Sequence, residues 1–245
     1  MELNHWECFG ASVQGILHKK ENRPNEDAWK RHSTRYTTAV VVSDGMGSKP
    51  NARFGAKMAC QAVNDGLRNW AKVSDAPPVY LLRLIHINWT LRVLPQSEAD
   101  SAATCLFAVV LASGKLVLAQ LGDGIVALRE PDGKVTRLTP PKTGFGNETT
   151  GLGVARSTKE WSVITRSRLL PGTAILLASD GIADDLKPDR IGDFIEVLIN
   201  DFAPLPPRKR YHAIASELRQ WTTENHLDDK TLAILFAKPT GEKNG

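Results

Sequence analysis

Apolar positions along this chain fall into two regimes, short continuous runs and longer stretches with helical spacing. The run Ala39–Val42, "AVVV", is mostly β-branched and describes a strand buried on both faces. The same pattern predicts strands at Phe9–Ile16, Ala28–Arg31, Thr37–Ser43, Thr104–Ala112, Leu116–Leu121, Ile125–Arg129, Val135–Leu138, Trp161–Arg166 and Ala174–Ser179, with "TLAILFA" as a closing strand. Helical spacing predicts a helix over Ala52–Trp70 with Phe54, Met58, Ala62 and Val63 on one face. A second, over Pro78–Leu94, carries Leu81, Leu84, Ile85 and Leu91 and starts on prolines, which suit a first helical turn. Two more are predicted at about Pro188–Asn200 and Arg208–Glu224.

The order is therefore strands, a helix pair, many strands, a second helix pair and one strand. "SGK" and "EPDGK" join neighbouring strands as hairpin signals. Paired helices and hairpin connections argue against a doubly wound parallel sheet. They predict an α+β fold of four layers, α/β/β/α, with a central antiparallel β-sandwich between helix pairs. A chain of 245 residues fits a single domain over 1–245, its last residues "TGEKNG" being flexible.

Composition narrows the class. The hydrophobic fraction of 42% and charged fraction of 24% are those of an ordinary globular protein. The longest apolar run, Cys105–Ala112, is far below the roughly 18 residues a membrane span needs, and "MELNHWECFG" has no leader pattern. Cys8, Cys60 and Cys105 are scattered, which argues against a disulfide framework or zinc site and predicts a cytoplasmic protein. The net charge of +4 is small and accompanies no nucleic-acid motif, so neither nucleic acid nor membrane is predicted as a partner.

Chemistry enters with acidic residues at strand ends. "VVSDGMG" places Asp44-Gly45 after a buried strand, "LGDG" does the same with Asp123-Gly124, and "ASDGIAD" repeats it at Asp180-Gly181. Asp228 and Asp229 precede the last strand, and Glu26 and Asp27 in "NEDA" precede an early one. Separate turns would also use Asp-Gly, yet no return strand follows at once after Asp44 or Asp180. If these ends converge, two carboxylates about 4 Å apart repel by roughly 4 kcal/mol at an effective dielectric near 20. Several together require protons or hard divalent cations, Mg²⁺ or Mn²⁺, with glycine allowing the backbone to approach a ligand closely.

At these residues the chain resembles the metal-dependent protein phosphatases of type 2C, bacterial form. The resemblance runs from "GASVQG" to "DDKTLAILF", with "NEDA", "VVSDGMG", "LGDG", "ASDGIAD" and "DDKT" in the family's order. "GFGNETTGLG" resembles the loop that bacterial members carry between their third and fourth acidic motifs. The resemblance implies two Mn²⁺ or Mg²⁺ ions, with a third in bacterial relatives, activating a water for attack on phosphoserine or phosphothreonine of a protein substrate, with a Ser/Thr kinase as counterpart. By it, Asp44 bridges both ions and the Gly45 carbonyl and Glu26 serve one of them. Asp180 and Asp228 serve the other, Asp27 holds metal-bound water, and Asp123 serves the third ion with Asp180 shared and Asp184 nearby. Asp44 and Asp27 are thus the residues assigned to catalysis.

The chain also departs from the family pattern. Asn22 stands where members often carry a phosphate-binding arginine, leaving Arg23 and His18, or Lys19 and Lys20, as candidates for the phosphate. Met46 follows the first Asp-Gly, and Asp229 replaces the usual asparagine. His18 reads either as a phosphate or acid residue or as a surface histidine. Met46 reads as packing, and Arg208–Arg210 either as a solvated loop and helix start or as a docking point for an acidic phosphoprotein. Asn147 in "NET" matches a glycosylation acceptor that a cytoplasmic chain would not use. Two other functions stay open: a catalytically weak phosphoprotein-binding module of the same fold, and a small phosphate-ester hydrolase.

Overall fold

The computed structural model describes residues 6–73, 76–138, 150–221 and 227–238. Its strands are β1 (Trp6–Val13), β2 (Ala28–Ser33), β3 (Thr37–Ser43), β4 (Cys105–Leu111), β5 (Leu116–Leu121), β6 (Ile125–Arg129), β7 (Val135–Arg137), β8 (Ser162–Arg166), β9 (Ala174–Ala178) and β10 (Lys230–Ala237). The α-helices are α1 (Ile16–Lys20), α2 (Ala52–Trp70), α3 (Pro78–Val93), α4 (Asp180–Ala183), α5 (Ile191–Phe202) and α6 (Pro207–Gln220). One antiparallel sheet runs β1-β10-β9-β6-β7 and the other β2-β3-β4-β5-β8.

The continuous apolar runs have a direct cause. Side chains alternate across a strand, and here both faces are covered. In β3, Val40 and Val42 pack between the two sheets, whereas Ala39 and Val41 pack under α2 and α3. In β9, Ile175 and Leu177 face the other sheet, and Ala174, Leu176 and Ala178 lie under α5 and α6. Three apolar layers thus separate four structural layers, which is the α/β/β/α arrangement the order of elements predicts.

Several details differ from the sequence reading. The first strand ends at Val13, because the Gly15 N–H is taken by the Asp229 carboxylate at 2.7 Å and the Leu17 N–H by the Leu227 carbonyl at 2.9 Å, turning the chain into α1. Phe54 is 36% exposed instead of facing the core. The inner face of α2 is built from small residues, among them Gly55, Ala56, Ala59 and Ala62, so the helix lies close and turns Phe54 outward. Leu91 is 62% exposed, since Trp89 and Val93 take the inner face of α3 and the Trp89 indole donates to the Gly55 carbonyl at 3.0 Å. Arg208 and Lys209 are solvated at the start of α6, whereas Arg210 is partly buried and donates to the Ala203 and Leu205 carbonyls. Residues 144–149 of the glycine-rich segment with Asn147, the end of the predicted last helix and the C-terminal "TGEKNG" lie outside the described residues. Among the described residues no helix is long and apolar enough to cross a membrane, and Cys8, Cys60 and Cys105 are free thiols.

Candidate metal centre

All the acidic motifs come to one end of the sandwich. Asp44 follows β3 and Asp123 follows β5 in one sheet. Asp180 follows β9 and Asp228 precedes β10 in the other. The β2–β3 register pairs Ala28 with Ser43, which brings Asp27 level with Asp44. Asp123 lies on the three-residue corner Gly122–Gly124 by which the chain leaves one sheet for the other. Asp44, Gly45, Met46, Asp123, Asp180 and Asp228 share a cavity of about 490 Å³, with His18, Thr104 and Lys49 also on its wall.

The local design "Ser-Asp-Gly" is explained at both places where it occurs. The Ser43 hydroxyl donates to the Thr104 carbonyl at 2.6 Å, and the Asp44 N–H donates to the Thr104 hydroxyl at 2.9 Å, so the strand end is fixed to β4. The Ser179 hydroxyl donates to Asp27 at 2.7 Å and accepts the Thr231 N–H at 3.1 Å, joining the start of β2 to the other sheet. The glycines are set by backbone crowding: a Cβ on Gly45 would lie 2.4 Å from the Ala52 backbone, and one on Gly181 would lie 2.1 Å from the Asp229 carbonyl oxygen.

Asp44, Asp123 and Asp180 each place one carboxylate oxygen within 4.8 Å of the others. At that spacing each ionised pair repels by about 3.5 kcal/mol at an effective dielectric near 20, and three such pairs approach the whole stability of a typical domain. Protonation follows. Burial first, then the charges of Asp27 and Asp180, push the Asp44 carboxyl well above the usual range. Burial, Asp123 and Asp228 raise Asp180 to about 6. Burial raises Asp27 to about 7, against the opposing hydrogen bonds from Ser179 and Thr231. Asp27 Oδ1 is buried without a hydrogen-bond partner, an acceptor that demands a donor. Crowded carboxyls and an orphan acceptor, with no thiolate among them, fit hard divalent cations carrying water.

The remaining candidates are placed differently from one another. Glu26 is buried, its carboxylate accepting from Arg23 at 2.8 Å, and it lines a neighbouring cleft and not the aspartate cavity. Arg23 is held by that bond and by the Gly47 carbonyl at 2.7 Å, so its guanidinium braces the loop after Asp44. Asn22 is exposed with φ of 56°, a left-handed turn position that suits asparagine at the end of α1. His18 is buried, contrary to the surface alternative, with Nδ1 2.9 Å from Asp229. Asp184 closes α4.

Sequence reasoning missed Asp229 as a hub. Its carboxylate is buried and accepts from the Gly15 N–H at 2.7 Å and the Glu26 N–H at 2.6 Å as well as meeting His18. His18, Asp228 and Asp229 also offer atoms within 4.8 Å of one another, but Asp229 is already committed to backbone donors. Ser179 and Thr104 were missed too. The repeated Ser before Asp-Gly was the visible signal for the first; nothing local marks the second.

Solved structures of known proteins share this architecture. The photosystem II phosphatase PBCP aligns over 95% of this chain and 99% of its own, with a TM-score of 0.69 at 16% identity. RsbX in complex with magnesium aligns over 97% and 98%, with 0.61 at 15%. The catalytic domain of the serine threonine protein phosphatase PstP, in complex with two manganese ions, aligns over 95% and 98%, with 0.57 at 18%. No sequence among curated proteins matches. The protein phosphatase 2C family profile matches residues 14–221, which is most of the chain and includes every acidic motif but the last. The chain belongs to the protein phosphatase 2C family of metal-dependent phosphatases.

Proposed function

We propose that this protein hydrolyses phosphoserine or phosphothreonine in a protein substrate with the help of bound Mn²⁺ or Mg²⁺. The observation that carries this reading is the meeting of Asp44, Asp123 and Asp180 within 4.8 Å, drawn from both sheets. Asp44, Asp180 and Asp228 would hold two cations together with the Gly45 carbonyl, and Asp123 would serve a third. Magnesium in RsbX and two manganese ions in PstP, on the same fold, support the choice of ion. Bound there, such ions supply a water acidic enough to attack phosphorus and neutralise charge on the phosphoryl oxygens.

The chain's own groups do the rest. Thr104 fixes the backbone of Asp44, and Ser179 holds the buried Asp27 carboxyl beside Asp44, where it is an acceptor for a water proton. Lys49, on the cavity wall and without an ion pair among the described residues, offers a positive charge to the phosphate. Arg23 and Glu26 hold the Gly47 loop in place as a bonded pair, and Arg23 acts on phosphate only by leaving Glu26. None of the three cysteines lines the aspartate cavity, so none is placed to attack phosphorus.

The test is hydrolysis of p-nitrophenyl phosphate and of phosphoserine and phosphothreonine peptides with and without Mn²⁺. Turnover on both that vanishes in EDTA supports the proposal. Turnover of small phosphate esters alone favours a metabolite hydrolase, and tight phosphopeptide binding without release of phosphate favours a binding module.

A further inference from the structure

The loop Gly47–Lys49 is shared between the aspartate cavity and a second, larger cleft of about 710 Å³. The charges lining this cleft are Arg23, Lys49, Arg53 and Lys57 against Glu26 alone. Glu26 is already satisfied by Arg23. Lys49, Arg53 and Lys57 form no ion pair among the described residues, which leaves about three uncompensated positive charges. Arg53 and Lys57 are four residues apart and so stand on one face of α2. Phe54, the aromatic that its spacing assigns to the core, lines the same cleft.

A run of like charges is ordinarily a solvated face. Two features set this one apart: the cations line a concavity, and that concavity shares the loop Gly47–Lys49 with the cavity where the phosphate ester has to sit. Opposite potentials side by side also order a ligand. The aspartate cavity takes a phosphoryl group only with cations present, whereas the neighbouring cleft attracts carboxylates with no ion at all. We propose that the cleft binds acidic side chains flanking the phosphorylated residue of a protein substrate, with Phe54 offering an apolar surface among them. This inference rests on the phosphatase reading of the adjoining cavity. It adds a substrate class: phosphoproteins whose site lies in an acidic stretch.

The experiment uses two labelled phosphoserine peptides of equal length, one flanked by Asp and Glu and its twin by Asn and Gln. Fluorescence anisotropy at low salt measures their binding to the full chain and to the R53E/K57E double variant. Both positions are exposed, so the fold survives the change; circular dichroism checks this, and R53Q/K57Q is the milder second variant. The wild-type chain is expected to bind the acidic peptide about tenfold more tightly, as two or three exposed ion pairs allow. That preference should shrink in 0.5 M salt, where screening is within about 4 Å, and disappear or invert in R53E/K57E. In turnover assays the difference should lie in KM and not in kcat. Equal binding of the twins by the wild-type chain overturns the inference, as does a preference that survives charge reversal. A single-stranded oligonucleotide bound as tightly as the acidic peptide overturns it too, since the cleft is then a general polyanion surface. Hydrolysis of p-nitrophenyl phosphate in Mn²⁺ is read separately: its absence removes the phosphatase reading, while the anisotropy still decides the cleft.

Discussion

Replacing Asp180 by asparagine should make the metal-free protein more stable, although it removes a residue assigned to the metal centre. In the fold the Asp180 carboxyl is raised from 3.8 to about 6, by burial first and then by Asp123 and Asp228. Holding it ionised in the folded chain therefore costs about 3 kcal/mol relative to the unfolded chain. Because the folded state keeps this proton more tightly, the contribution of Asp180 to stability in EDTA falls as pH rises from about 4 to about 6 and is level beyond. The asparagine side chain of Asp180→Asn cannot ionise, keeps an acceptor for the Gly181 N–H now bonded at 2.6 Å, and eases Asp44, which Asp180 also raises. Allowing for the weaker acceptor, the variant should gain about 1–3 kcal/mol at pH 7.5 in EDTA and almost nothing at pH 4. Urea denaturation at both pH values measures this. With Mn²⁺ at a thousandfold excess over Kd the order reverses, because the wild-type chain alone gains binding stabilisation, about 4.1 kcal/mol. A variant less stable than wild type at pH 7.5 in EDTA, or equally stabilised at both pH values, would show that no charge repulsion is stored at this end of the sandwich.

Asp44→Asn is expected to abolish Mn²⁺-dependent hydrolysis while the far-UV spectrum and the EDTA melting curve show an intact fold. Asp27→Asn, which keeps an acceptor for Ser179 but presents an amide to the cluster, should cost roughly 10–100-fold in metal affinity or activity, read by isothermal titration with Mn²⁺. Asp229→Ala leaves the Gly15 and Glu26 N–H groups buried without acceptors and should lose about 2–5 kcal/mol of stability in EDTA, measured by chemical denaturation. Gly181→Ala forces a Cβ to within 2.1 Å of the Asp229 carbonyl and should destabilise the metal-free chain as much as the metal-loaded one; a variant with normal EDTA stability and weakened Mn²⁺ binding would return that glycine to a ligand role.

The layers were legible because each carries its own pattern. Strands covered on both faces read as unbroken apolar runs, and α2, β3 and β5 lie within the limits their sequences predict. Helix orientation was less so. Spacing groups Phe54 with Met58 and Val63, but which side of α2 packs depends on the Gly55 backbone, where a Cβ would stand 1.7 Å from the Ser101 carbonyl, and no periodicity encodes that approach. The acidic motifs were readable as a set since each ends or opens a strand. Their supports were not: Ser179 reaches Asp27 across 152 positions and Asp229 reaches Glu26 across 203, contacts that exist only once the sheets are stacked. The glycines illustrate a right residue with a different cause. Their position after Asp suggested close approach to a ligand, whereas Gly45 and Gly181 are required by neighbouring backbone.

The division of the carboxylates between sheets gives the centre a mechanical consequence. Asp44 and Asp123 follow strands β3 and β5 of one sheet, and Asp180 follows β9 and Asp228 precedes β10 of the other, so a cation shared by Asp44 and Asp180 joins the two sheets at their common end. Protein hydrogen bonds already tie this end, among them Ser179–Asp27, Asp229 to the Glu26 N–H, and Asn25 Nδ2 to the Ser12 hydroxyl at 2.8 Å. The first two involve a buried carboxyl, and none relieves the repulsion among the other aspartates. The strands themselves cannot splay to relieve it, because every residue of β3 and β9 is buried between packed layers. Repulsion is thus stored at a rigid place, where it can be discharged only by protons or cations. A site of this kind holds its geometry before the ion arrives, which is what a metal-dependent hydrolase needs of its ligands.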